Sequence, residues 1–371
     1  MKAKLSLIVC AVVVAAACGK KTEPPPAAGP APGQAEPVQP ATKGAEPAKP
    51  AALDRSKLSV FAALPAEITA SSGAATPALV ELGHKLYFDK RLSKNQDISC
   101  NSCHLVDKGG VDGSATSSGH KGQKGGRNAP TVLNAAAHVA QFWDGRAKDV
   151  EEQAKGPILN PIEMAMPNAE AVVALLKTMP EYVAAFQAAF PGQPDPVTYD
   201  NLGRAIGAYE RQLTTPGRFD AFLAGDATAL TAEEQAGLAT FLDTGCNACH
   251  SGAAVGGGMF QKLGLVKPWP DLKDEGRFAV TKDEADKFKF KVPSLRNIAQ
   301  TGPYFHDGAV ATLPEAVKKM AAHQLGKDLS DAQVASIVTF LNALTAAPPA
   351  ALIAAPTLPA STPETPKPDP N

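Results

Sequence analysis

The chain has no excess of charge of either sign: 36 lysines and arginines face 37 aspartates and glutamates over 371 residues. Nothing in that balance suggests nucleic-acid binding, which calls for a strongly basic face. A long apolar run is missing as well. The N-terminal stretch from Leu5 to Ala17 falls short of the about 20 residues a membrane-spanning helix needs. No sustained alternation of apolar and polar residues competes with the helical patterns, so a mainly α fold is expected. Cysteine is scarce, six in all, and its spacing leaves no pair over for a disulfide framework.

What is present begins at the ends. Lys2 and Lys4, the short apolar stretch and three alanines before Cys18 describe a secretory signal over residues 1–17, removed on export to the periplasm. Cys18 followed by Gly19 resembles the lipobox cysteine that carries a membrane lipid anchor; an ordinary signal peptide cleaved nearby is the alternative. Loss of Lys2 and Lys4 leaves 34 basic against 37 acidic residues. Of the 33 prolines, nine lie between residues 19 and 52 and eight between 348 and 371, mixed with alanine. Tails so poor in buriable surface are expected to stay extended and disordered. This marks 18–52 as anchor and linker, 347–371 as a tail, and about 53–346 as a folded body long enough for two domains.

Four cysteines stand in two copies of one pattern, Cys100-Asn101-Ser102-Cys103-His104 and Cys246-Asn247-Ala248-Cys249-His250. Each thiol of such a pair can add to a haem vinyl group, and the adjoining histidine can then ligate the iron. A redox dithiol or a zinc site are the rival uses, and two C-x-x-C-H copies in an exported chain favour two covalently bound c-type haems.

A second repeat follows each haem motif. Pro130-Thr131-Val132-Leu133-Asn134 and Phe142-Trp143-Asp144-Gly145 are answered by Pro293-Ser294-Leu295-Arg296-Asn297 and Phe305-His306-Asp307-Gly308, with the same internal spacing. Two cytochrome c-like haem domains from an internal duplication are expected, at 53–220 and 221–346. Thr76 with Pro77, Thr231 with Glu234, and Ser330 with Gln333 are helix-start signals. The glycine-rich stretches 108–127 and 252–258 read as functional or mobile loops.

The halves differ where a second iron ligand would stand. Met320 lies fifteen residues after Phe305, whereas Pro157 lies fifteen after Phe142. A histidine–methionine haem has a raised potential and suits an electron store; Met320 is the candidate partner of His250, with Met259 as rival. The first haem has His104 on one side and no methionine opposite. His120, on the glycine-rich loop, is close enough in sequence to bind there in one state and leave in another. His84, His138 and His323 read as helical or surface histidines without catalytic work, and His306 as part of the second haem's surroundings.

The segments LYFDKRLS at 86–93, RNAPTVLN at 127–134, QFWDGRA at 141–147, EEQAKGPILNPIEM at 151–164 and VPSLRNIAQTGPYFHDG at 292–308 resemble the bacterial dihaem cytochrome c peroxidases over nearly the whole body. The resemblance implies reduction of hydrogen peroxide with electrons from a small c-type cytochrome or a cupredoxin. It places His120 as the releasable distal ligand of the peroxidatic haem at His104, and Met320 as distal ligand of the electron-transfer haem at His250. It implies Trp143 as the electron path between haems, Glu163 and Gln153 as the peroxide-side carboxylate and amide, and Asn128, Thr301 and Pro303 as ligands of a calcium ion. A homodimer is consistent with it. Two other readings stand beside this: a dihaem maturation enzyme that oxidises a protein, which has tyrosine at the methionine place, and a non-catalytic dihaem carrier or peroxide sensor.

Overall fold

A computed structural model describes residues 53–71 and 73–371. The expected signal segment, the Cys18 anchor and the linker to residue 52 lie outside the described residues. Twelve α-helices carry the described chain, beside seven short 3-10 turns: α1 Pro77–Phe88, α2 Cys100–Cys103, α3 Val150–Leu159, α4 Ala169–Lys177, α5 Pro180–Ala189, α6 Tyr199–Glu210, α7 Arg218–Leu223, α8 Ala232–Thr244, α9 Phe278–Thr281, α10 Leu313–Leu325, α11 Asp331–Ala343 and α12 Ala350–Ile353. One antiparallel pair, β1 Phe260–Lys262 and β2 Lys289–Lys291, sets Phe260 opposite Lys291. The mainly helical expectation holds. Among the described residues no helix is long and apolar enough to cross a membrane.

The helix starts follow local chemistry. Thr76 caps α1 through Leu79 N–H with Pro77 in the first turn, and Thr231 with Glu234 and Ser330 with Gln333 form reciprocal capping boxes on α8 and α11. Each such cap satisfies backbone donors that a helix N-terminus leaves open.

Two apolar cores form. The first joins Leu82, Leu86 and Tyr87 of α1 to Leu202, Ile206 and Tyr209 of α6. The second joins Leu238 and Phe241 of α8 to Ile337 and Phe340 of α11. One packing device serves both. A Cβ at Gly83 would overlap the Ala205 carbonyl of α6, and one at Gly237 the Ser336 carbonyl of α11, so in each core the helix pair approaches at backbone distance over a glycine.

The packing departs from the expected blocks at both ends of the body. Leu53, Leu58 and Phe61 pack into the second core, while Leu352 and Ile353 pack against the first. The tail expected to be disordered from 347 to 371 is instead docked. Tyr209 donates its hydroxyl to the Leu352 carbonyl (2.6 Å), Arg91 donates to Ser361 (3.0 Å), Gln96 to the Pro366 carbonyl (2.7 Å) and the Asp369 N–H to the Lys94 carbonyl (3.0 Å). Proline content misled the expectation because it limits core formation but not docking. A proline-rich strand has free carbonyls to offer and little chain entropy to lose on becoming ordered.

Candidate functional site: two cavities sharing Trp143

The first cavity, about 390 Å³, is walled by Cys100, Cys103, His104, Trp143, Gln153 and Glu163, among others. α2 is a single turn whose N-cap, Ser99, exchanges hydrogen bonds with Ser102, and it ends at His104. Burial holds the His104 imidazole below its ordinary pKa, which favours the neutral ring. Its Nδ1 lies 3.0 Å from the Pro130 carbonyl, which fixes the proton on Nδ1 and leaves the Nε2 lone pair free to ligate a metal. The proline of the first repeat therefore orients the histidine of the first haem motif. Cys100 and Cys103 carry no disulfide, and burial pushes both thiols up.

Glu163 is half-buried, and burial pushes its carboxyl above the ordinary range against the pull of Arg146 and Asn160. Arg146 stacks on the Phe142 ring at 3.4 Å and bonds Asp144 at 3.1 Å. The Glu163 turn is pinned from three sides: its N–H donates to the Asn160 carbonyl (3.0 Å), its carbonyl accepts from the His120 N–H (2.8 Å), and the next carbonyl, of Met164, accepts from the Lys94 N–H (2.8 Å). His120 was expected on a mobile loop. Here it is buried, 6% exposed, and it is not on the cavity wall, which Gly119 reaches instead. Gly119 seats flat on the Ile162 carbonyl, where a Cβ would collide.

The second cavity, about 220 Å³, brings together Cys246, Cys249, His250 and Met320. Met259, the rival, is 37% exposed and does not line it. Burial lowers the His250 pKa to about 4. The Pro293 carbonyl, counterpart of Pro130, opposes that shift from nearby but stands outside hydrogen-bond geometry, leaving Nδ1 without a partner.

Trp143 lies on the walls of both cavities. Its indole N–H donates to the Asn128 carbonyl at 2.9 Å, and its ring meets His306 edge-on at 6.5 Å.

The profile of the di-haem cytochrome c peroxidases matches residues 77–228. Over 294 residues the chain is 50% identical to the cytochrome c551 peroxidase of Pseudomonas aeruginosa, covering 78% of this chain and 84% of that one. This chain belongs to the di-haem cytochrome c peroxidase family. It is 49% identical over 296 residues to the cytochrome c551 peroxidase of Nitrosomonas europaea, covering 79% of this chain and 86% of that one. Among solved structures, a MauG-like protein associated with microbial copper homeostasis aligns with a TM-score of 0.68 at 31% identity, over 79% of this chain and 95% of that one.

Membership of a dihaem peroxidase family implies two covalently bound haems c, and the residues present fit them. Each cavity holds two unpaired thiols and a half-buried histidine on its wall.

Asn128, Thr301 and Pro303 all line the second cavity. The Asn128 amide donates to the Ser114 and Ala115 carbonyls (2.9 and 3.3 Å), and the Thr301 hydroxyl to Ile298 (3.3 Å). Among the described residues no group of three or more His, Cys, Asp or Glu could hold a metal ion, so a cation here would depend on amide and carbonyl oxygens.

Three features of this peroxidase-family chain escape a reading of its sequence. Glu210, at the end of α6, is buried on the first cavity wall, with its pKa pushed up to about 8 by burial and by nearby Glu151. Arg146 reaches the same wall. Lys291 and His138 meet on the second. Only Arg146 carried a sequence signal, as part of the QFWDGRA segment.

Proposed function

We propose that the first cavity is where this dihaem cytochrome c peroxidase reduces hydrogen peroxide to water, and that the second receives electrons from a small c-type cytochrome or a cupredoxin. The observation that carries this is the convergence of Glu163, Gln153 and Trp143 on one cavity with His104 and its cysteine pair. The bound haems supply the redox chemistry, each able to hold one of the two electrons that peroxide reduction consumes along with two protons.

The protein's own groups do the rest. Glu163 sits in a setting that raises its pKa, which suits a group that takes a proton from the inner peroxide oxygen and returns it to the departing one. Gln153 offers an amide donor to orient the bound peroxide, and Arg146 supplies a nearby cation that favours developing negative charge. His104 would hold the first haem through Nε2. His250 and Met320 would hold the second, and Met320 disfavours the protein-oxidising maturation reading, which calls for tyrosine at that place. Trp143 joins the two cavities as the electron path. His120 would be the releasable second residue holding the first haem; here it lies buried off the cavity wall, with its backbone N–H on the Glu163 carbonyl.

The same reading includes the constant halves as products of duplication, with domains near 53–220 and 221–346 exchanging their end segments. It also includes export to the periplasm with a lipid at Cys18, a calcium ion at Asn128, Thr301 and Pro303, and a possible homodimer.

The test follows oxidation of a reduced small c-type cytochrome by peroxide in wild type, Glu163→Gln and His120→Gly. Glu163→Gln is expected to lose roughly 10²–10⁴-fold in kcat with two haems retained per chain. His120→Gly is expected to react in the fully oxidised state, where the wild type needs prior reduction. Wild-type turnover no faster than free haem sinks the enzyme reading and leaves an electron carrier.

A further inference from the structure

Lys291 and His138 form a buried donor pair that catalysis as described above does not use. Lys291 closes β2, is 5% exposed, and is fixed by its N–H to the Trp143 carbonyl at 2.8 Å. Its Nζ lies 2.9 Å from His138 Nδ1. Both residues line the second cavity.

The donors do not balance. With Nδ1 accepting from the ammonium, the imidazole proton sits on Nε2, and that atom is buried without a hydrogen-bond partner. The ammonium keeps two further N–H groups, and among the described residues no carboxylate offsets its burial, which alone brings its pKa down to about 7. Burying unspent donors costs free energy that an anion with several acceptor oxygens would recover. The wall they sit on is otherwise mostly apolar, with Phe142, Phe290 and Val292 as neighbours.

We propose that Lys291, its ammonium oriented by the bond to His138 Nδ1, holds a carboxylate inside the second cavity, namely a propionate of the haem attached at Cys246 and Cys249. This rests on the haem-binding reading of that cavity. The pair acts as a positioning element: it would hold one edge of the haem beside Trp143, and the positive charge of Lys291 would favour the reduced state.

The test is an optical redox titration of the two-haem protein in the absence of peroxide, for wild type, Lys291→Met, Lys291→Arg and His138→Gln. In Lys291→Met the reduction equilibrium of the second haem is expected to fall roughly tenfold, about 59 mV for one electron. The first haem should be unmoved, and Lys291→Arg should restore most of the shift. An unchanged second potential in Lys291→Met, with both haems present, overturns the proposal. If that variant fails to retain its second haem, His138→Gln decides: a fall of roughly threefold supports the clamp, and no change overturns it. A wild-type potential that tracks added acetate at constant ionic strength makes the occupant a solvent anion and also overturns it. Because no turnover is measured, failure here leaves the peroxidase reading standing, and failure of turnover leaves this one.

Discussion

Asn134 and Asn297 donate their side-chain amides to the same oxygen, the hydroxyl of Thr215, at 2.8 and 2.9 Å. Both take the left-handed conformation. The N–H of one donates to Leu213 and of the other to Leu344, and their Oδ1 atoms accept from the N–H of Thr215 and Ala346 respectively. The two Pro-x-x-x-Asn segments thus meet at a buried polar knot between the cores.

Thr215→Val removes the shared acceptor and leaves two buried amides short of a partner, at a cost of about 1–3 kcal/mol each. Thermal melting is expected to show a fall of several degrees, largely recovered in Thr215→Ser. Asn134→Ala and Asn297→Ala should combine non-additively, as residues sharing one partner do; strict additivity would deny the knot.

Gly83→Ala and Gly237→Ala each push a methyl group into the backbone carbonyl of the facing helix. Overpacking of this kind costs about 1–3 kcal/mol. Denaturant unfolding of the two variants should show comparable losses, because the same helix contact is built twice. A gain in stability, as expected for Gly→Ala on an open helix face, would contradict the close approach.

Glu210 gives the protein a stability that falls with pH. Its folded-state pKa of about 8 exceeds the ordinary carboxylate value, so between that ordinary range and about 8 the folded state binds more protons than the unfolded one. The stability is full below the ordinary carboxylate range and is lost as pH rises through about 8. Each tenfold shift in acidity is worth about 1.4 kcal/mol. Glu210→Gln, which cannot ionise, is expected to melt higher than wild type at pH 9 and to flatten the pH dependence from pH 5 upward; parallel curves would show that Glu210 does not titrate there.

Removing residues 350–371 uncovers the first core at Leu352 and Ile353 and frees Lys94, which also holds Met164 beside Glu163. Truncated protein is expected to melt several degrees lower and to lose peroxide turnover while its second haem keeps its spectrum. Melting that matches the full chain would restore the disordered tail inferred from composition.

What could be read from the sequence was whatever is written in neighbouring residues. The two C-x-x-C-H motifs, the helix caps at Thr76, Thr231 and Ser330, and the repeated proline and asparagine spacing are local, because capping and thiol placement act within a few residues. Glu163, Gln153 and Trp143 became legible only through long family segments, since a lone glutamate or tryptophan carries no signature of its cavity.

The tertiary structure decided what depends on distant groups coming together. Tail docking pairs residues near 90 with residues near 360; the burial that shifts Glu210, and the meeting of Lys291 with His138, arise only when separate segments exclude water from one place. Desolvation is set by all the surrounding chain at once, so spacing along the sequence records which side chains exist, and the fold alone determines which of them lose their water and must find one another.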